Sequence, residues 1–131
     1  MLRSDQVKKK KNFYLSKKAH TFAGKLIKSN SSLTELKEFA QLGYVIGINS
    51  KKHFEYSEAC TENIAATDAV DEDGKLLFMY MNLFPEYSDE TTNTWLNIEK
   101  ASSFGLALIE EKYYDADENL ILWEELYKDF G

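Results

Sequence analysis

The stretch Asp68–Phe84 reads D-A-V-D-E-D-G-K-L-L-F-M-Y-M-N-L-F, and it constrains the fold more than any other part of the chain. An acidic turn, Asp71-Glu72-Asp73-Gly74, opens directly into the longest apolar run in the sequence. Asp-Gly between two extendable segments signals a hairpin, because glycine accepts the positive φ that a tight turn needs. The run after it is too apolar to alternate, so a strand there would bury both faces and need cover above and below. Pro85, which cannot donate to a ladder, is expected to end it. The expectation is a hairpin pairing 64–70 with 75–84.

The chain has 131 residues, the length of one domain that buries roughly two-thirds of its unfolded surface. One proline, six glycines and 44% hydrophobic residues describe a packed core rather than a low-complexity chain. The single cysteine, Cys60, excludes an internal disulfide and a cysteine-rich zinc site, and fits a reducing, cytoplasmic setting. No apolar segment of seven or more residues follows the lysines at 8–11, so no signal peptide is expected. Nothing approaches the ~18 consecutive apolar residues of a membrane span, and no membrane partner is expected.

Residues 1–12 are polar and lysine-rich and read as a flexible basic tail, leaving 13–131 as the single globular domain. From Phe13 to Ile27, Leu15, Ala19, Phe22, Ala23, Leu26 and Ile27 share one helical face. Ser32 with Glu35 suggests a capping box for a second helix ending at Gly43. Tyr44–Ile48 has β composition, and His53–Glu58 alternates well enough to pair back with it. Residues 90–113 fit either one helix or a strand followed by a helix, because Gly105 weakens a continuous helix. A closing helix would carry Leu120, Trp123, Tyr127 and Phe130 inward. This order predicts an α+β fold, with N-terminal helices, a central antiparallel sheet that includes the 64–70/75–84 hairpin, and C-terminal helices packed on the sheet.

Catalytic and cofactor chemistry find little footing. Aligning Gly74 with the glycine of a calcium loop places Ala69 and Tyr80 where oxygen ligands belong, so the turn is no calcium site. His20 and His53 lie in no metal-binding motif and read as boundary histidines. Cys60 lacks the surroundings of a catalytic thiol and reads as a small buried hydrophobe. Gly43-x-x-x-Gly47 is not in a nucleotide-binding context. The expectation is a protein without enzyme activity, cofactor or metal.

Charge is the informative feature. The net charge of -6 divides into +8 over residues 1–30, -1 over 31–60 and -13 over 61–131. Asp71, Glu72 and Asp73 supply one group of acids. Glu110, Glu111, Asp115, Asp117 and Glu118 supply another, interleaved with Tyr113 and Tyr114. Clustered carboxylates steer a basic partner, and rigid aromatics anchor interfaces. These ten residues are the candidate protein-binding positions. The leading expectation is a small acidic inhibitor of a basic protein, most concretely an immunity protein or antitoxin against a toxin nuclease. Alternatives are an acidic DNA mimic that blocks a restriction or RNA-guided nuclease, and a nucleic-acid binder using the basic N-terminus. The acidic remainder of the chain argues against nucleic acid as the partner. A second copy of the chain is a further candidate, since apolar strands can pair at an edge.

Overall fold

The computed structural model describes residues 2–28, 33–49, 51–115, 120–121 and 128. It is a mixture of helix and strand, with five α-helices and two two-stranded antiparallel sheets among the described residues. In order these are β1 (Asn12–Ser16), α1 (Lys17–Lys28), α2 (Leu36–Gly47), β2 (Cys60–Ala66), α3 (Thr67–Val70), α4 (Lys75–Leu83) and α5 (Asn93–Tyr113). Residues Lys51–Glu55 form a 3-10 turn, and Tyr114–Asp115 (β3) pairs with Leu120–Ile121 (β4).

The predicted hairpin is replaced by a strand-to-helix unit. Only Cys60–Ala66 is extended, and 75–83, expected as a doubly buried strand, is α4. The reason lies in composition: Lys75 to Leu83 is built from Leu, Met, Lys, Asn and aromatics and contains no β-branched residue. Its N-terminus is prepared by the acidic turn. Asp71 accepts the N–H groups of Leu76 (2.9 Å) and Leu77 (3.1 Å), and Gly74 takes φ +77° at the cap. The glycine supplies the positive φ expected of it, but for a helix start rather than a hairpin turn.

The N-terminal half shifts in a similar way. Residues 13–16 belong to β1 rather than to the first helix, which begins only at Lys17. Ser16 ends the strand and its Oγ accepts the Ala19 N–H at 3.2 Å, satisfying the first turn of α1. Ala19, Phe22, Ala23 and Leu26 then face the core as their spacing predicts. Helix α2 starts after Glu35, whose N–H is accepted by Glu38 Oε1 at 3.1 Å, and Ser32 lies outside the described residues. It does not stop at Gly43: the expected strand 44–48 continues the helix to Gly47, and 53–58 holds the 3-10 turn instead of a strand.

Packing explains the extension of α2. A Cβ on Gly43 would overlap the Ser102 carbonyl, one on Gly47 the Ala101 carbonyl, and one on Gly105 the Gly43 carbonyl. Glycine on both helices lets the backbones of α2 and α5 touch, and Tyr44 and Ile46 on α2 and Ile98, Leu106 and Ile109 on α5 are buried in the core. Helix α5 is thus one continuous helix over 93–113, with Gly105 kept for close approach. The closing helix expected over 120–130 falls largely outside the described residues; Leu120–Ile121 are extended.

β1 and β2 pair antiparallel, from Asn12 opposite Ala66 to Ser16 opposite Cys60, with irregularities at Phe13/Tyr14 and Leu15/Ser16. The other edge of β1 lies on α5. Glu99 Oε2 accepts the Tyr14 N–H at 2.7 Å and Ser103 Oγ accepts the Ser16 N–H at 2.9 Å. The basic segment ahead of β1 also touches the body: Val7 is buried, Lys8 N–H donates to Glu90 O (2.7 Å), and Lys10 Nζ donates to Glu99 Oε2 (2.7 Å).

Candidate functional site

The acidic turn separates into a structural acid and two exposed ones. Asp71 is buried, and its carboxylate is committed to the amides that open α4. Glu72 and Asp73 are exposed. Asp73 accepts the Lys75 N–H (3.3 Å) and lies 3.4 Å from Lys75 Nζ; the amide first, and then the ammonium, hold its carboxyl below the usual range.

This turn borders a surface hollow of about 380 Å³ where the N-terminal segment passes α3 and α4. Asp5, Asp68, Asp71 and Glu72 line it, with Lys9 as the cation and Leu77 and the buried Trp95 as apolar members. Lys9 pairs with Asp68 at 2.9 Å and Arg3 with Asp5 at 3.3 Å, all four side chains being well exposed. Such pairs contribute ~0–1 kcal/mol and exchange readily for another cation. A second hollow of about 450 Å³ adjoins it. It is lined by Leu2, Arg3, Ser4, Phe78, Met81, Asn82, Pro85 and Ser88 and is mainly apolar. Ser4 belongs to both hollows, and successive residues of α4, Leu77 and Phe78, line one each.

The other predicted positions lie elsewhere. Glu110 is half-buried and Glu111 exposed near the C-terminal end of α5, and Tyr113 is in the core. Glu110 follows Trp95 by fifteen residues of one helix, which places the two acidic groups about 22 Å apart along its axis. Tyr114 and Asp115 contribute backbone to β3, and Asp117 and Glu118 lie outside the described residues. The turn and the helix end therefore form two separate acidic regions.

Buried polar groups also gather along α5, at positions the residue pattern did not single out. Glu99, Ser102 and Ser103 are fully buried. Burial pushes the Glu99 carboxyl up, opposed by the hydrogen bonds from Lys10 and Tyr14. Cys60 lies 3.5 Å from Ser103 Oγ, and burial pushes its thiol up, away from the reactive thiolate. His53 is buried rather than at a boundary. Its Nε2 is 2.9 Å from Tyr80 OH, and its ring packs on Phe54 and Phe84. The Tyr80 hydroxyl is held protonated by burial. No group of three or more His, Cys, Asp or Glu among the described residues is arranged to hold a metal ion. No helix among them is long and apolar enough to cross a membrane.

Comparison with family models, with curated proteins and with solved structures brings no match to the chain.

Proposed function

We propose that the protein binds and neutralises a basic protein, acting most concretely as an immunity protein or antitoxin against a toxin nuclease. The observation that carries this reading is the hollow beside α3 and α4, lined by Asp5, Asp68 and Glu72 next to the helix-capping Asp71, with Lys9 as the cation. A nuclease must attract phosphate, so its cleft is electropositive, and a surface of spaced carboxylates is complementary to it. The basic N-terminus supports the same assignment over a nucleic-acid one. Lys9 and Lys10 are turned onto Asp68 and Glu99, and they sit beside an acidic surface that repels phosphate.

The test is functional. The tagged chain is used at low salt to capture its partner from the source cells, and the partner is then assayed for cleavage of DNA and RNA, alone and with an equimolar amount of the chain. A basic partner whose cleavage is abolished on addition supports the reading. A captured protein that is acidic, or whose nuclease activity is unchanged by the chain, overturns it.

A further inference from the structure

Helix α4 buries one apolar face and leaves further apolar side chains exposed beside Lys75 and Asn82. Leu77, Tyr80 and Met81 face inward, while Phe78, Met79 and Leu83 are 63%, 42% and 51% exposed. Lys75, Phe78, Met79, Asn82 and Leu83 are spaced i, i+3, i+4, i+7 and i+8, so the exposed side chains form one continuous face with Lys75 at its N-terminal end. That face adjoins the apolar groove of about 450 Å³, which is large enough for one or two bulky side chains. The groove in turn meets the acidic hollow across Ser4.

We propose that the α4 groove and the acidic hollow together form one docking site for a basic segment of a partner protein. An apolar side chain of that segment enters beside Phe78, and a neighbouring arginine or lysine reaches Asp68 and Glu72. The proposal rests on the inhibitor reading above and names the surface that would serve it.

Charge selects this occupant. The two hollows are lined by four carboxylates, Asp5, Asp68, Asp71 and Glu72, against two cations, Arg3 and Lys9, which pair with Asp5 and Asp68, so the surface is acidic on balance. A second copy laid on the same face would bring like charges together, and an anionic lipid surface would be repelled. A segment with both an apolar anchor and a cation satisfies both hollows, displacing Lys9 from an exposed pair with Asp68. The site is distinct from the acidic end of α5.

The test maps amide shifts of the isotope-labelled full chain on titration with a short helical peptide of leucine and lysine. Two control peptides replace lysine by glutamate, or leucine by serine. The expected result is binding of the leucine–lysine peptide alone, with shifts concentrated at 2–5 and 68–88. Phe78→Asp and Glu72→Lys should each weaken binding about tenfold. Both side chains are exposed, so the thermal midpoint should not change. Shifts confined to 110–115 overturn this docking site and leave the inhibitor reading standing, whereas no binding of any lysine-bearing peptide counts against both. Equal binding of the serine control, or concentration-dependent dimerisation abolished by Leu83→Asp, shows that the groove does not take a basic anchor and overturns the proposal.

Discussion

Glu99 on α5 accepts the backbone N–H of Tyr14 on β1 at 2.7 Å, so a helix side chain takes a place that a neighbouring strand would fill. Ser103 repeats the contact one helical turn later, accepting the N–H of Ser16 at 2.9 Å. The spacing matches. Two residues of strand rise about 6.6 Å and four residues of helix about 6 Å, so positions i and i+4 of α5 meet positions i and i+2 of β1. The helix thereby closes the sheet edge against further pairing.

This contact predicts that α5 side chains stabilise β1 through its amides. Glu99→Leu and Ser103→Ala should each destabilise the protein by about 1–3 kcal/mol, because each leaves a buried N–H without an acceptor. Urea denaturation reads the change. Losses below about 0.5 kcal/mol, typical of surface positions, would contradict the assignment.

Glu99 also predicts a pH dependence. Burial raises its carboxyl pKa in the folded state above the value in the unfolded chain. Its contribution to stability is therefore fully present below the ordinary carboxylate range and is lost as pH rises through the raised folded value. Measured against Glu99→Gln, which keeps an acceptor for Tyr14 but does not titrate, the native protein should lose stability across that window. A difference that stays flat, or that changes in the opposite direction, would show that Lys10 and the Tyr14 amide outweigh burial.

The glycines separate packing from propensity. Gly105→Ala drives a Cβ into the Gly43 carbonyl, which is backbone and cannot step aside, and should cost about 1–3 kcal/mol or more. Gly24→Ala on α1 meets nothing within 4 Å and should instead stabilise the helix by about 1 kcal/mol. Thermal midpoints moving in opposite directions are the expected outcome; a neutral Gly105→Ala would mean that α2 and α5 are further apart than described.

Asp71 and Glu72 are neighbours with different work. Asp71→Ala removes the acceptor for the Leu76 and Leu77 amides and should cost about 0.5–2 kcal/mol. Glu72→Ala, at an exposed position, should change stability by less than about 0.5 kcal/mol. Equal effects in denaturation would remove the distinction between cap and surface acid.

The fold was partly legible from the residue pattern. The inward face of α1 follows from the spacing of Ala19, Phe22, Ala23 and Leu26, and the mixed helix and strand character follows from composition. The run 75–83 reads as a strand because its apolar letters mask the helical period: only the absence of β-branched residues separates it from a buried strand. Tyr44–Ile48 has the letters of a strand, yet Gly43 before it and Gly47 within it let α2 continue against α5, a contact between residues some sixty positions apart. Of the candidate site, Asp71–Asp73 were visible as charge, but the role of Asp71 as a cap was not. Phe78 and Leu83 read as core residues, because a sequence does not show that α4 stands at the surface with one face uncovered.

Carboxylates around the α3–α4 hollow are proposed to attract a basic partner. The most direct test of this attraction is the association rate of the captured partner with the native chain and with Asp68→Lys/Glu72→Lys, followed across a series of salt concentrations. For the native chain the rate should fall steeply with salt. The variant should associate slowly at every concentration and lose most of the salt dependence. A rate indifferent to salt and equal in the two proteins would contradict the proposed attraction.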